Sequence, residues 1–300
     1  MTDWTKRFQG NTLAGALAGL LATGSWSGLN VITKYKIGAD LHPVLISSGL
    51  FLSALTTLGP LSVLLWRKRQ GPYRLPRPPF VSSLARTAAG LSFVYAVRTI
   101  SATQTTIYAR LSPIWVLAIL FLTNRDRVKP SGIFGSLLAF AGVYVIVGGF
   151  DATQGVVWGS VATVLTGLFQ AIFTVSLKRD SVRAPAAGLE GKLRFTMSLL
   201  GMCFLLTAPF ALLLFPRVSP DPNVLLWIWI GGAVFNAFAY LLYYWCLTLV
   251  PEILAVVILS LTIPFTLLIE TAFYGIATPP ALLLGAVLVV CGILLVATRN

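Results

Sequence analysis

GSLLAFAGVYVIV, at residues 135–147, has a counterpart near the end of the chain, GAVLVVCGILLVA at residues 285–297. A proline precedes both stretches at nearly the same distance. Pro113 begins a P-x21-G-x6-G pattern, and Pro264 begins a P-x20-G-x6-G pattern. The chain therefore carries an internal repeat, and this repeat decides which folds are compatible with the rest of the sequence.

The repeat extends to the beginning of each half. Gly15 and Lys34 are 19 residues apart, and Gly159 and Lys178 have the same separation. We therefore predict two structural units that meet near residue 150 and together form one membrane domain. The predicted units are residues 1–150 and residues 151–300.

The composition is that of a membrane protein. Of the 300 residues, 57% are hydrophobic and only 10% are charged, whereas soluble domains carry roughly 25% charged residues. Apolar stretches of about 20 residues, long enough to cross a bilayer as helices, follow one another between polar or proline-bearing breaks. We predict an all-α membrane protein with ten transmembrane helices. The predicted spans lie near residues 12–33, 43–66, 80–99, 102–123, 131–149, 155–177, 191–215, 224–248, 252–274 and 280–298.

The basic residues indicate the orientation of these helices. The net charge is +13, and most of the 22 lysines and arginines fall in the termini and loops of one side. This asymmetry follows the positive-inside rule and predicts that both termini are cytoplasmic. It also accounts for the net charge without a nucleic-acid partner.

Five helices in each half have a topological consequence. Because five is odd, the second half enters the membrane from the opposite face. Inverted repeats of this kind are typical of secondary transporters, with the binding site between the halves near the midplane. The repeat therefore predicts transport by alternating access.

Two stretches resemble a known family. VYAVRTISATQTTIYARLSPIW (residues 94–115) and YYWCLTLVPEILAVVILSLTIPF (residues 243–265) are similar to the repeated core of the EamA-type drug/metabolite transporter superfamily. Within it the chain looks most like bacterial amino-acid exporters of the aromatic, YddG type. The resemblance implies export of small metabolites, most of all aromatic or neutral amino acids. One departure is that the glutamate often found 13 residues after the repeat proline is replaced by Asp126 and Ala277.

Two charges lie inside predicted spans without a counterpart in the other half. With the prolines aligned, Arg110 corresponds to Leu261, and Glu270 corresponds to Ile119. Burying an arginine at a helix centre costs about 2.5–3.5 kcal/mol on insertion scales. Arg110 either pairs with Glu270, or faces a wet cavity and binds a substrate carboxylate, or extends outward to the interface. The two repeat prolines, Pro113 and Pro264, predict breaks that act as hinges.

Polar and aromatic residues at helical spacing predict the lining of a transport path. Each such stripe has an alternative explanation, since it could simply hydrogen-bond neighbouring helices. Arg86 either extends to the inner interface or guards the inner end of the path. Arg110 would hold a carboxylate, and aromatic rings would receive a side chain or an ammonium group. The predicted substrate-binding residues are Trp26, Asn30, Arg86, Tyr95, Tyr108, Arg110, Gln170, Asn236, Tyr240 and Tyr244.

Catalytic and energy-coupling motifs are missing from the sequence. It contains no Walker loop, no H-E-x-x-H or G-x-S-x-G motif, and no cluster of metal ligands. We expect a transporter that is not an enzyme and uses no cofactor or metal. With Glu270 as the one carboxylate deep in a span, facilitated diffusion or exchange is favoured over proton antiport. A broad drug or phosphorylated-metabolite exporter and a passive channel remain as alternatives. We expect a monomer whose partners are its small-molecule substrate and the bilayer, and a dimer through small-residue helix faces stays open.

Overall fold

The computed structural model describes residues 3–37, 41–66, 76–123, separate positions between 134 and 145, 154–183, 188–217, 220–275 and 280–298. All regular structure within these residues is helical. Among the described residues, seven helical segments are long and apolar enough to cross a membrane, as expected of a multi-pass membrane protein. Some of these segments consist of two consecutive helices.

The helices of the first half follow the predicted spans closely at α2 and α3. They are α1 (Asp3–Ile32), which continues as a π-helical turn (Thr33–Ile37), α2 (Pro43–Trp66), α3 (Phe80–Thr99), α4 (Ala102–Ala109) and α5 (Ser112–Leu122). The helix α1 begins before the predicted residue 12. Most of the predicted span 131–149 lies outside the described residues, and those described within it are helical.

The second half has the same order of helices. They are α6 (Gln154–Arg183), α7 (Gly188–Leu214), α8 (Pro222–Ile230), α9 (Ala237–Leu249), α10 (Glu252–Ser260), α11 (Thr262–Tyr274) and α12 (Pro280–Thr298). A π-helical segment, Gly231–Asn236, joins α8 to α9. A π-helix adds one residue to a turn and so shifts the faces of the helix on either side of it.

Two predicted spans are broken at corresponding positions. Arg110 and Leu111 form a turn between α4 and α5, and Leu261 forms the turn between α10 and α11. Pro113 and Pro264 each lie in the first turn after the break, where the missing N–H of proline costs no intrahelical hydrogen bond. Both breaks that the prolines predict are therefore present.

Helices of one half pack mainly against helices of the other half. The most extensive pairs are α3 with α6, α1 with α9, and α2 with α7. If each helix is replaced by its counterpart in the other half, the α3–α6 pair becomes the α9–α1 pair, and the α2–α7 pair is unchanged. Likewise, α4 and α5 pack against α6, and their counterparts α10 and α11 pack against α1, the counterpart of α6. The hydrophobic core therefore lies between the halves.

The repeated glycine and lysine have a structural role at one end of the bundle. A Cβ atom on Gly15 would lie 2.8 Å from Leu249 Cβ and 2.8 Å from Val250 Cγ1, so this glycine lets α1 approach the end of α9. Lys178 Nζ donates hydrogen bonds to the carbonyls of Leu247 (2.6 Å) and Val250 (2.9 Å). The start of α1 and the later part of α6 thus meet at one end of the molecule.

The opposite end repeats this arrangement with the halves exchanged. A Cβ atom on Gly159 would collide with the side chain of Thr99 and lie 3.2 Å from Ile100 Cγ2. Lys34 Nζ donates to the carbonyl of Ile100 at 2.9 Å. The end of α1 and the start of α6 therefore meet here, so α1 and α6 run in opposite directions. Each lysine also satisfies carbonyls at the C-terminus of a helix, where a cation is favourable.

Candidate functional site

A cavity of about 70 Å³ lies between the two halves. Helices α1, α2, α3, α4 and α6 and the π-helical segment before α9 all contribute to its wall. Apolar side chains and polar groups alternate around it. Of the predicted substrate-binding residues, the cavity brings together Trp26, Asn30, Arg86, Arg110, Gln170 and Asn236.

Arg110 lies at the break between α4 and α5. Its side chain is only 8% exposed, and its Nε has no hydrogen-bond partner among the described residues. Within that part of the chain, no carboxylate comes within ion-pair distance of its guanidinium group. A Cβ atom on Gly167 would lie 3.2 Å from the carbonyl of Ala109, so α6 packs directly against the broken segment. The break thus presents a buried cation to the cavity.

Arg86 points into the protein and does not extend to the interface. Its Nε donates to the hydroxyl of Tyr240, and its Nη1 donates to Gln170 Oε1 at 2.9 Å. The guanidinium carbon also lies 5.1–5.9 Å from the ring centroids of Tyr240, Trp26 and Phe173. One arginine on α3 therefore ties together α1, α6 and α9. Of the two predicted placements of Arg86, the structure has the interior one, and its role in guarding the path stays a prediction.

Several buried polar atoms around the cavity have no partner within the described residues. An unpartnered buried polar group costs about 1–3 kcal/mol, and because each of these atoms is fully buried in this conformation, it gains a partner only if the cavity widens. Ser47 belongs to this cluster and was not predicted, since one serine in an apolar helix carries no distinguishing pattern. The atoms are Trp26 Nε1, Ser47 Oγ, Arg110 Nε, Gln170 Nε2 and Asn236 Oδ1.

The aromatic residues beside the cavity pack mainly on one another. The ring centroid of Trp26 is 5.6 Å from that of Tyr240 and 5.3 Å from that of Tyr243. Phe173 stacks on Tyr243 at 6.2 Å, and the hydroxyls of Thr174 and Tyr243 are 2.8 Å apart. Tyr240 therefore serves as a partner of Arg86 and Trp26.

Four predicted residues do not line the cavity, namely Tyr240, described above, and Tyr95, Tyr108 and Tyr244. Tyr95 is 43% exposed on the outer surface, and Tyr108 packs in a separate apolar cluster. Tyr95 is nine residues from Arg86 and Tyr108 is two residues from Arg110, and at about 3.6 residues per turn both separations lead to the opposite helix face. Tyr244 stacks on Phe195 of α7 at 4.4 Å, one turn beyond Tyr240.

The predicted ion pair between Arg110 and Glu270 is not formed. Glu270 Oε1 accepts a hydrogen bond of 2.6 Å from the hydroxyl of Tyr35, and Oε2 accepts one from Thr103. Thr103 precedes Arg110 by seven residues, which is roughly 10 Å along a helix. Glu270 is therefore too close to the helix end to reach the break.

The carboxylate nevertheless holds three elements together, namely the turn after α1, α4 and α11. Tyr35 adds a ring contact, stacking on Tyr274 of α11 at 4.3 Å. Asp126 and Ala277, which replace the family glutamates in the sequence comparison, lie outside the described residues.

Comparison with known proteins agrees with this architecture. The family model described as the EamA-like transporter family matches the chain twice, over residues 13–148 and 155–298. A solved structure described as "Crystal structure of protein" has a TM-score of 0.67 and 19% sequence identity, and the alignment covers 95% of this chain and 99% of that one. At this identity the likeness concerns the fold alone. The curated proteins include no match to the sequence.

The two family matches together span nearly the whole chain and meet where the two predicted halves meet. The chain therefore belongs to the EamA-like transporter family, as a multi-pass membrane transporter of small molecules.

Proposed function

We propose that the protein is a secondary carrier that exports small carboxylate-bearing metabolites, neutral or aromatic amino acids among them. The observation that carries the proposal is Arg110, a cation at a helix break that lines the central cavity and whose buried Nε has no partner among the described residues. The corresponding position in the other half is Leu261, so the scaffold does not require the charge. A guanidinium group binds a carboxylate through two parallel hydrogen bonds.

The packing of the halves supports alternating access. Helices α1 and α6 run in opposite directions, and the contacts between helices persist when the halves are exchanged. We propose ten spans in two inverted halves of five, residues 1–150 and 151–300, with Pro113 and Pro264 as hinges. Such a pair of bundles can rock around a fixed central site.

Two polar contacts between the halves, one in the wall of the cavity and one beyond it, are the proposed gates. On one side Arg86 bridges Tyr240 and Gln170. Towards the other, Glu270 binds Tyr35 and Thr103. A cavity of about 70 Å³ accommodates a few water molecules, whereas ligand sites have roughly 300–1,000 Å³. Opening one of these two contacts would enlarge the cavity for a substrate.

The remaining walls fit the rest of such a substrate. Leu50, Phe51 and Phe93 also line the cavity and can receive an apolar side chain. The resemblance to exporters of aromatic amino acids supports this class. We propose facilitated diffusion or exchange, working as a monomer in a bacterial inner membrane with both termini cytoplasmic, because Glu270 is engaged by two hydroxyls away from the cavity.

The proposal is tested by reconstituting the purified protein in liposomes and measuring counterflow of labelled amino acids and organic acids. Arg110→Leu, which copies the residue of the other half, should lower transport at least about tenfold, the equivalent of one lost charged hydrogen-bond pair. Leu261→Ala at the matching break is the control and should retain most activity. Equal transport by Arg110→Leu and the parent would exclude Arg110 as the substrate anchor.

The same assay separates a carrier from a channel. A carrier shows saturation, and unlabelled substrate inside the liposomes accelerates entry of labelled substrate. Linear uptake without counterflow would instead support a passive channel and reject alternating access.

A further inference from the structure

The charge inside the cavity is unbalanced. Arg86 and Arg110 both line it. The chain has nine acidic residues, and only Glu270 lies well inside a span. Its two oxygens are bound by Tyr35 and Thr103, away from the cavity. Two guanidinium groups therefore share one small cavity with no carboxylate among the described residues that line it.

Most of the unpartnered polar atoms around the cavity are hydrogen-bond donors. Trp26 Nε1, Arg110 Nε and Gln170 Nε2 can only donate hydrogen bonds, whereas Ser47 Oγ can do either and Asn236 Oδ1 can only accept. A carboxylate only accepts hydrogen bonds, and an ammonium group only donates them. These atoms are fully buried in this conformation, so a cavity that widens to expose them would offer more partners to a carboxylate than to an ammonium group.

Three aromatic rings in and beside the cavity already have a cation close to them. Cation–π binding requires a cation within about 6 Å of a ring centroid. The Arg86 guanidinium carbon lies 5.7 Å from the ring of Trp26, 5.1 Å from that of Tyr240 and 5.9 Å from that of Phe173. A second cation at these rings would also be repelled by Arg86.

We infer that the cavity selects small organic anions, meaning carboxylates that lack a free α-ammonium group, over zwitterionic amino acids with the same side chain. This inference rests on the proposed carrier function and specifies the substrate class of the same site. The carboxylate binds Arg110, and the apolar part of the substrate lies against Leu50, Phe51 and Phe93. An α-ammonium group would be placed among two guanidinium groups and a majority of donors.

Matched ligands test the inference. Binding to the purified protein is measured by calorimetry for phenylalanine, N-acetylphenylalanine, 3-phenylpropanoate and 2-phenylethylamine, and each is also tested as an inhibitor of counterflow. The two anions should bind at least about tenfold more tightly than phenylalanine, because repulsion between like charges at short range in a protein exceeds the energy of a tenfold change in affinity. The amine, which has no carboxylate, should not bind.

The outcomes distinguish the inference from the proposed function. If phenylalanine binds as tightly as the anions or more tightly, and is transported, the inference is wrong and the carrier proposal stands. If a broad panel of anions and amino acids shows neither binding nor counterflow, the proposed function itself fails.

Arg86→Gln provides an independent measurement, since the glutamine amide, which lies where the arginine Nε stood, can still bind the Tyr240 hydroxyl while one cavity charge is removed. The affinity for phenylalanine relative to that for 3-phenylpropanoate should rise several-fold. Arg98→Gln removes a charge from the same helix outside the cavity lining and should leave the ratio unchanged. An unchanged ratio in folded Arg86→Gln would contradict the role of this second guanidinium group, and the ligand series on the parent protein decides the inference if that variant does not fold.

Discussion

At Gly15 the helix α1 has no room for one additional methyl group. A Cβ atom would lie 2.8 Å from both Leu249 Cβ and Val250 Cγ1, well inside normal contact distance. We predict that Gly15→Ala lowers stability by about 1–3 kcal/mol, as overpacking does in other cores. Gly24→Ala on the same helix is the control, because no atom of another helix lies within 4 Å of the place that its Cβ would take. Thermal unfolding in detergent would contradict the packing if both variants had the same midpoint.

Glu270 is the residue on which the prediction about proton coupling of transport depends. Its side chain is 4% exposed and accepts hydrogen bonds from Tyr35 and Thr103. Because the carboxylate binds hydroxyls away from the cavity, we predict that an imposed pH gradient does not drive transport in the parent protein or in Glu270→Gln. Uptake into liposomes with and without a gradient measures this. A gradient that drives the parent protein but fails to drive the variant would establish Glu270 as a proton carrier.

Among the helices, the two capping lysines provide a matched pair. Lys34 binds the carbonyl at the end of α3, and Lys178 binds two carbonyls at the end of α9. Losing a partner leaves buried acceptors unsatisfied, so Lys34→Met and Lys178→Met should each cost about 1–3 kcal/mol. Lys36→Met is the control, since Lys36 is exposed and lies over the Trp227 ring, an exposed contact worth about 0.5–1 kcal/mol. Unfolding midpoints that rank Lys36→Met as the most damaging would contradict this role.

The helix bounds and the breaks could be predicted from the sequence, whereas the direction in which individual side chains point could be predicted only in part. Proline and hydropathy are local signals, and both breaks lie where the prolines indicated. Tyr95 and Tyr108 could have been rejected by counting residues from the two arginines around a regular helix. The π-helical turns at Thr33–Ile37 and Gly231–Asn236 have no such signal, because tertiary packing stabilises them.

The partner of Arg110 could not be decided from the sequence. Pairing with Glu270 was one of three alternatives, and only the structure shows that Glu270 instead binds Tyr35 and Thr103. The central cavity itself was anticipated through Trp26, Asn30 and Gln170, since their spacing along α1 and α6 is regular. Ser47 required the structure, because only the packing of α2 shows which of its serines faces the centre.

For the whole molecule, we predict an even number of membrane spans, with both termini on the cytoplasmic side. Fusing a topology reporter to either end of the full chain should give the cytoplasmic signal in both cases, because five helices in each half return the chain to its starting side. Signals on opposite sides would contradict the arrangement of two inverted halves of five.

The central claim is that the cavity between the halves opens to each side in turn, and its accessibility tests this most directly. Thr166 lines the cavity, and its hydroxyl binds only the carbonyl of Ala162 in its own helix among the contacts described, so Thr166→Cys is a mild probe once Cys203, Cys246 and Cys291 are replaced by alanine. A membrane-impermeant thiol reagent is applied to vesicles of both orientations, with and without substrate. We predict modification from both sides, with substrate changing the two rates in opposite directions. Modification from one side only under every condition would contradict alternating access.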